Sequence, residues 1–156
     1  MRIEVSNHQR THRLRAGAIR TFVKWVMARA CREVRNRPWA EVSVAIVGDG
    51  QIRRVNGEHL GHDEVTDVIS FVYAPPAGAE GGLSGEVIVN ADRAVSEARE
   101  RRLTPSVELA RYLAHGCQHL CGATDRTALQ RLRMRRRETR WIREARKLGP
   151  LDLFVA

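Results

Sequence analysis

The stretch that most constrains this chain opens at Thr104-Pro105, passes through His115 and His119, and is stopped at Gly122. Threonine followed by proline reads as a helix N-cap. The hydroxyl accepts an orphan backbone N–H, and proline at the first helical position has no N–H to lose. At about 100° per residue, Ala110, Leu113, Ala114, Cys117, Leu120 and Cys121 gather on one side of such a helix, and Glu108, His115 and His119 on the other. The apolar side must lie on a core. The two histidines, four residues apart, stand about 40° apart around the axis and roughly 6 Å apart along it, so both imidazoles can reach one ion. Gly122 can take the left-handed conformation that ends a helix and turns the chain, so that Asp125 returns as a third ligand. Three protein ligands leave a coordination position open, the catalytic rather than the structural pattern for zinc. A solvated polar face has the same spacing, so spacing alone leaves both readings open. The peptidase version of the motif is disfavoured. Its general base is a glutamate directly after the first histidine, and Gly116 stands there.

A chain of 156 residues, 43% hydrophobic, suffices for one core, and one globular domain over residues 1–156 is expected. Lysine and arginine number 27 against 18 acids, a net charge of +9 that favours polyanionic partners, whether RNA or an anionic membrane. Cys31, Cys117 and Cys121 form no C-x-x-C pair and leave one unpaired in any disulfide scheme, which fits a reducing cytoplasm. Cys117 and Cys121, on the apolar side of the helix, read as small buried hydrophobes. Every apolar run is soon broken by a charge, as Lys24 breaks 22–30, so no membrane span and no signal peptide are expected.

Ile3-Glu4-Val5 alternates as an edge strand does, and a polar connection follows through His8 and His12, both expected to face solvent. Leu14, Ala18, Phe22, Val26 and Ala30 keep helical spacing up to Arg37-Pro38. Residues 42–47, apolar on both faces, read as a central strand. A short helix at 51–59, strands at 68–73 and 85–90 paired with each other, a loop at 74–84 and a helix at 91–102 come next. After the histidine helix, Thr127 can cap a last helix running to about Lys147, with Leu129, Leu132, Trp141, Ile142, Ala145 and Leu148 as its apolar contacts. The order β, α, β, α, β, β, α, α, α makes an α+β fold: a single mixed sheet of about four strands packed with helices. The last helix carries nine basic residues, among them Arg131, Arg133, Arg135 and Arg136, against only Glu138 and Glu144. So one-sided a run beside a metal motif reads as a phosphate-tracking surface.

The histidine stretch resembles the metal motif of the YbeY family, bacterial metal-dependent endoribonucleases of rRNA maturation, written H-G-x-x-H-L-x-G-x-D-H. His115, Gly116, His119, Leu120 and Gly122 match it, and the family's Asp-His falls on Thr124-Asp125, so that a carboxylate stands for the third imidazole. An earlier block resembles the family's N-x-x-Y-R-x-K-D-x-P-T-D-V-L-S-F through Asn56, Asp63, Thr66, Asp67, Val68, Ser70 and Phe71. Glu86 stands at the aspartate of the family's G-D-I element, and Met134 and Glu138 keep its M-x-x-x-E spacing. The departure that bears on chemistry is Leu60, where the family carries an arginine thought to contact the phosphate. His59 and His62 replace a tyrosine and a lysine, and either imidazole could supply a proton or a hydrogen bond to phosphate.

The resemblance implies a zinc-dependent, single-strand-specific endoribonuclease acting in maturation of the 16S rRNA 3′ end and in ribosome quality control. Its expected partners are single-stranded RNA, rRNA and the small ribosomal subunit rather than DNA. One zinc ion is expected on His115, His119 and Asp125, with His59, His62 and Arg111 as candidate catalytic residues. Arg111, one turn before His115, is the cation that could stand in for the missing arginine. The second reading is a non-catalytic ribosome-assembly RNA-binding factor with a structural metal, supported by Leu60 and Asp125.

Overall fold

The computed structural model describes residues 1–155. Its elements follow the expected order: β1 Arg2–Asn7, α1 Ala16–Glu33, β2 Trp39–Val47, α2 Asp49–Leu60, β3 Val68–Tyr73, β4 Leu83–Asn90, α3 Ala91–Arg101, α4 Pro105–Leu120 and α5 Ala128–Leu148. The four strands form one mixed sheet in the order β1-β2-β4-β3, with β1, β2 and β4 parallel and β3 antiparallel to β4. This is the α+β arrangement the sequence implies, with the apolar 42–47 segment central and Ile3 on an edge strand.

Alternation along the strands sets the two faces. Val42, Val44, Ile46, Val87 and Val89 point to one side, where they meet α1 and α4 in the main core. Val47, Ile69 and Ile88 point to the other side, which Ile52 of α2 covers. Beyond α2 that second face is only half-buried at Ser43 and Ala45, so β2 is less evenly covered than its apolar sequence suggests.

α4 is the organising helix. The sheet lies under it, and α1, α3 and α5 pack around it. Gly116 permits the close approach: a Cβ there would stand 2.8 Å from Val87 Cγ1 and 3.1 Å from both Ser70 Oγ and Val68 Cγ2. The Ser70 hydroxyl donates to the Gly116 carbonyl at 3.1 Å and ties helix to strand at the same point.

One open reading closes and three expectations need correction. The polar side of α4 is not a solvated face, because α3 and α5 cover it and Glu108 and Gln118 are wholly buried. α5 buries Trp141 and Ile142 as expected, with Ala145 against the core, but its inner side continues through Met134 and Glu138, while Leu129, Leu132 and Leu148 stay exposed. β4 starts at Leu83, whose N–H donates to the Pro38 carbonyl at 2.7 Å, in a crossing so tight that a side chain on Gly82 would strike that carbonyl. His12 is half-buried, with its Nε2 2.9 Å from Asp92 Oδ1, rather than free in solvent. The cysteines behave as expected. All three are free, Cys117 and Cys121 are fully buried, and burial raises both thiol pKa values, Cys121 to about 12.

Candidate metal centre

Two local features of the chain place the donor atoms. The Thr104 hydroxyl accepts from the Val107 N–H at 3.2 Å and fixes the start of α4, so the phase of His115 and His119 is set from the N-cap. At the other end Gly122 takes φ 99°, its N–H donates to the His119 carbonyl at 3.0 Å, and the Ala123 N–H donates to the Gln118 carbonyl at 3.0 Å. This pair of reversed bonds is the glycine-based helix stop, and it doubles the chain back over the last turn. Arg37 adds a cap by donating to the Leu120 carbonyl at 3.0 Å.

The returning chain does two things. The Ala123 carbonyl meets His119 Nδ1 at 2.9 Å, and Asp125 comes to face both imidazoles. A carbonyl can only accept, so His119 Nδ1 carries the hydrogen and Nε2 presents its lone pair. His115 is fixed in the same way from α5: its Nδ1 lies 3.0 Å from Glu138 Oε2, a carboxylate that also accepts from Gln118 Nε2 at 3.1 Å. Both Nε2 atoms therefore point into the same space, 3.0 Å from each other and 3.5 and 3.4 Å from Asp125 Oδ2. Three acceptors facing one another repel unless a proton or a cation sits between them. Tetrahedral zinc bonds of about 2.0–2.1 Å separate neighbouring donor atoms by roughly 3.3–3.4 Å, so the triangle has the size and the donor set that zinc takes. The outer partners, a buried carboxylate and a backbone carbonyl, are those that orient metal-binding imidazoles.

Burial by itself would lower the His115 pKa, but the hydrogen bond and charge of Glu138, helped by Asp67 and Asp125, outweigh it and hold the imidazole above its usual range. Without an ion, positive charge in the form of a proton is thus favoured where a cation would sit.

The sequence-derived candidates divide. His115, His119 and Asp125 come together, each half-buried, with their donor atoms within 4.8 Å of one another. Arg111 lines a cleft of about 520 Å³ together with His115 and Asp125. A smaller cleft of about 300 Å³ opens on the other side of His119, lined by Leu60, Val68 and Ser70. His59 and His62 line neither cleft. Both are exposed, and the His59 ring stands edge-on to Phe71 with centroids 5.8 Å apart. Sequence reasoning missed the roles of Glu138 and Gln118. The available signals were an acid amid the arginines of α5 and the M-x-x-x-E spacing of Met134 and Glu138. It also left Asp67 without a task, although its carboxylate lines the large cleft.

The sheet order and the helix-borne donors define a class, an α+β protein with a three-ligand metal-type site at the C-terminal end of its central helix. The chain belongs to the YbeY endoribonuclease family, whose profile, described as Endoribonuclease YbeY, matches residues 4–146. It is 41% identical over 110 residues to the Endoribonuclease YbeY of Anaeromyxobacter sp. (strain Fw109-5), a match covering 70% of this chain and 57% of the relative. It is 36% identical over 126 residues to that of Geobacter metallireducens, covering 78% of this chain and 79% of the relative. The match thus spans little more than half the length of the Anaeromyxobacter relatives. A Thermotoga maritima protein solved in solution shares the fold, with TM-score 0.58, 20% identity, and coverage of 91% of this chain and 87% of that one.

Proposed function

We propose that this protein is a zinc-dependent endoribonuclease that cuts single-stranded RNA, acting on rRNA at the 16S 3′ end and in quality control of the small ribosomal subunit, in the cytoplasm. Residues 1–156 act in it as one unit. The observation that carries the reading is the His115–His119–Asp125 triangle, of which His115 and Asp125 line a cleft together with Arg111, Arg131 and Arg135. Zinc held there would supply Lewis acidity toward a phosphoryl oxygen and acidify water near neutral pH.

The chain's own residues do the rest. Glu138 and the Ala123 carbonyl hold both imidazoles in the tautomer that leaves Nε2 free. Arg111, with its Nε buried and unpartnered, presents a guanidinium to a phosphate in the cleft, the charge that Leu60 does not supply on the other side of His119. Arg111 is favoured over His59 and His62 for this role because it shares the cleft with His115 and they do not. Most basic residues of α5 lack an acidic partner among the described residues, Arg140 with Glu33 being the main exception, so the helix keeps its charge for a polyanion. No helix among the described residues is long and apolar enough to cross a membrane.

Leu60 is the observation that favours the second reading, an RNA-binding assembly factor with a structural metal, since it leaves the small cleft without a cation. The deciding experiment incubates the protein with single-stranded RNA with and without a chelator. The nuclease reading expects cleavage that the chelator abolishes and zinc restores. RNA binding that persists through chelation, with no cleavage in any condition, would support the assembly factor instead.

A further inference from the structure

The two clefts flank the same histidine pair and differ in the charged side chains that line them: the larger has five arginines and five acids, the smaller none of either. Among the described residues the smaller one holds no lysine or arginine: Asn56, Leu60, Thr66, Val68, Ile69 and Ser70 line it beside His119. The larger one, on the side of His115 and Asp125, holds several arginines, and their pairing separates them. Arg101 is engaged by Glu97 at 3.3 Å and by Glu108 at 3.1 Å, and Arg93 lies 3.7 Å from Glu97. Arg131 is committed to the loop, donating to the Asp125 carbonyl at 3.1 Å. Arg111 and Arg135 make no ion pair among the described residues, and the buried Nε of Arg111 has no hydrogen-bond acceptor. Of the acids of the cleft, Glu97 and Glu108 are engaged by arginines, Glu138 by His115 and Asp125 by both imidazoles, while among the described residues Asp67 meets only the Thr66 hydroxyl at 3.4 Å.

A buried donor without an acceptor and an exposed guanidinium without a counterion, on two helices facing one cleft, are what an incoming anion would satisfy. We propose that this protein grips its RNA on one side of the scissile linkage only. Arg111 of α4 and Arg135 of α5 hold the phosphodiester that neighbours the cleaved one in the large cleft. The nucleotide on the other side rests in the neutral cleft against Leu60 with no phosphate contact. The inference rests on the endoribonuclease reading and adds to it a polarity that the charge of the whole chain does not imply.

The test scans one neutral methylphosphonate linkage along a short single-stranded RNA and measures binding and kcat/KM with the zinc-loaded full chain. On one side of the scissile linkage the substitution should weaken binding about 10- to 100-fold, the loss expected for charge-assisted hydrogen bonds. On the other side the change should stay below about twofold. In Arg135→Ala, and separately in Arg111→Lys, the sensitive position should lose much of its penalty. The slope of log K against log salt for unmodified RNA should fall by about 0.7 in Arg135→Ala, which a merely structural arginine would not change. Leu60→Arg should make the indifferent side sensitive. Equal penalties on both sides in the wild-type chain, or an asymmetry that survives both arginine variants, would overturn the one-sided grip while leaving the nuclease reading intact. RNA that is neither bound nor cut would overturn the nuclease reading itself.

Discussion

Replacing Glu138 with glutamine isolates the support behind the candidate metal ligands. Glu138 is 5% exposed, and its Oε2 takes hydrogens from His115 Nδ1 at 3.0 Å and Gln118 Nε2 at 3.1 Å. Glutamine keeps the shape and one acceptor but removes the charge. The imidazole then loses a charge-assisted bond, of a kind that contributes about 1.5–3 kcal/mol, and the constraint on its tautomer. Losses of outer partners of this kind cost about 10- to 100-fold in metal affinity, or roughly 1.4–2.7 kcal/mol, so the two estimates agree. A second effect carries a sign. Burial pushes the His115 pKa down and Glu138 is the main group pushing it up, so the variant's pKa should fall. Protons then compete with zinc at a higher pH in the wild-type protein, above the ordinary 6.5 of imidazole, than in the variant. Zinc titrations against a competing chelator should show the full affinity gap at pH 8 and a narrower gap at pH 6. Equal affinities at pH 8, or a gap that widens on acidification, would refute the role given to Glu138.

Gly116→Ala gains about 1 kcal/mol of helix propensity but forces a methyl against Val87, Val68 and Ser70, at about 1–3 kcal/mol, so urea unfolding should show a net loss. A more stable variant would mean that α4 does not sit so close to the sheet. Glu108 is held above the ordinary carboxylate range by burial, against the opposing charges of Arg101 and Arg111. A raised folded pKa binds the proton more tightly in the native state, so this contribution is complete below about pH 4 and is lost as pH rises through the folded value. Metal-free Glu108→Gln should therefore gain on the wild type between pH 4 and pH 8, and a constant difference would remove the linkage. With the phosphate cation on the Arg111 side, Arg111→Ala should slow cleavage and Leu60→Arg should speed it, with zinc content unchanged in both. Rates that do not move would remove the compensation.

Periodicity alone gives the order of elements, because each buries a face whose spacing is written in the residues. Val42, Val44 and Ile46 alternate, and Phe22, Val26 and Ala30 repeat with the helical turn. The stop at Gly122 and the return of Asp125 are legible for the same local reason, since a left-handed glycine and a reversed pair of backbone bonds need no distant partner. What the sequence does not show depends on contacts between elements far apart in the chain. Glu138 reaches His115 across 23 residues, and nothing local distinguishes it from a surface glutamate. Trp141 and Ile142 are legible on the inner side of α5, but its first half is misread because Leu129 and Leu132 look like core residues, whereas the side that meets α4 includes a glutamate held by a histidine and a glutamine. His59 and His62 stand where the motif has a tyrosine and a lysine, and their place in the fold, away from the lining of both clefts, follows from how α2 and the loop after it pack rather than from their chemistry.

The central claim is that His115, His119 and Asp125 hold one metal ion, and elemental analysis of purified protein tests it most directly. The account predicts one zinc per wild-type chain, loss of the metal in the His115→Ala, His119→Ala double variant, reduced occupancy in Asp125→Ala, and retention in Asp125→His, where an imidazole takes the carboxylate's place. A wild-type chain without stoichiometric metal, or a double variant that binds as much zinc as the wild type, would contradict it.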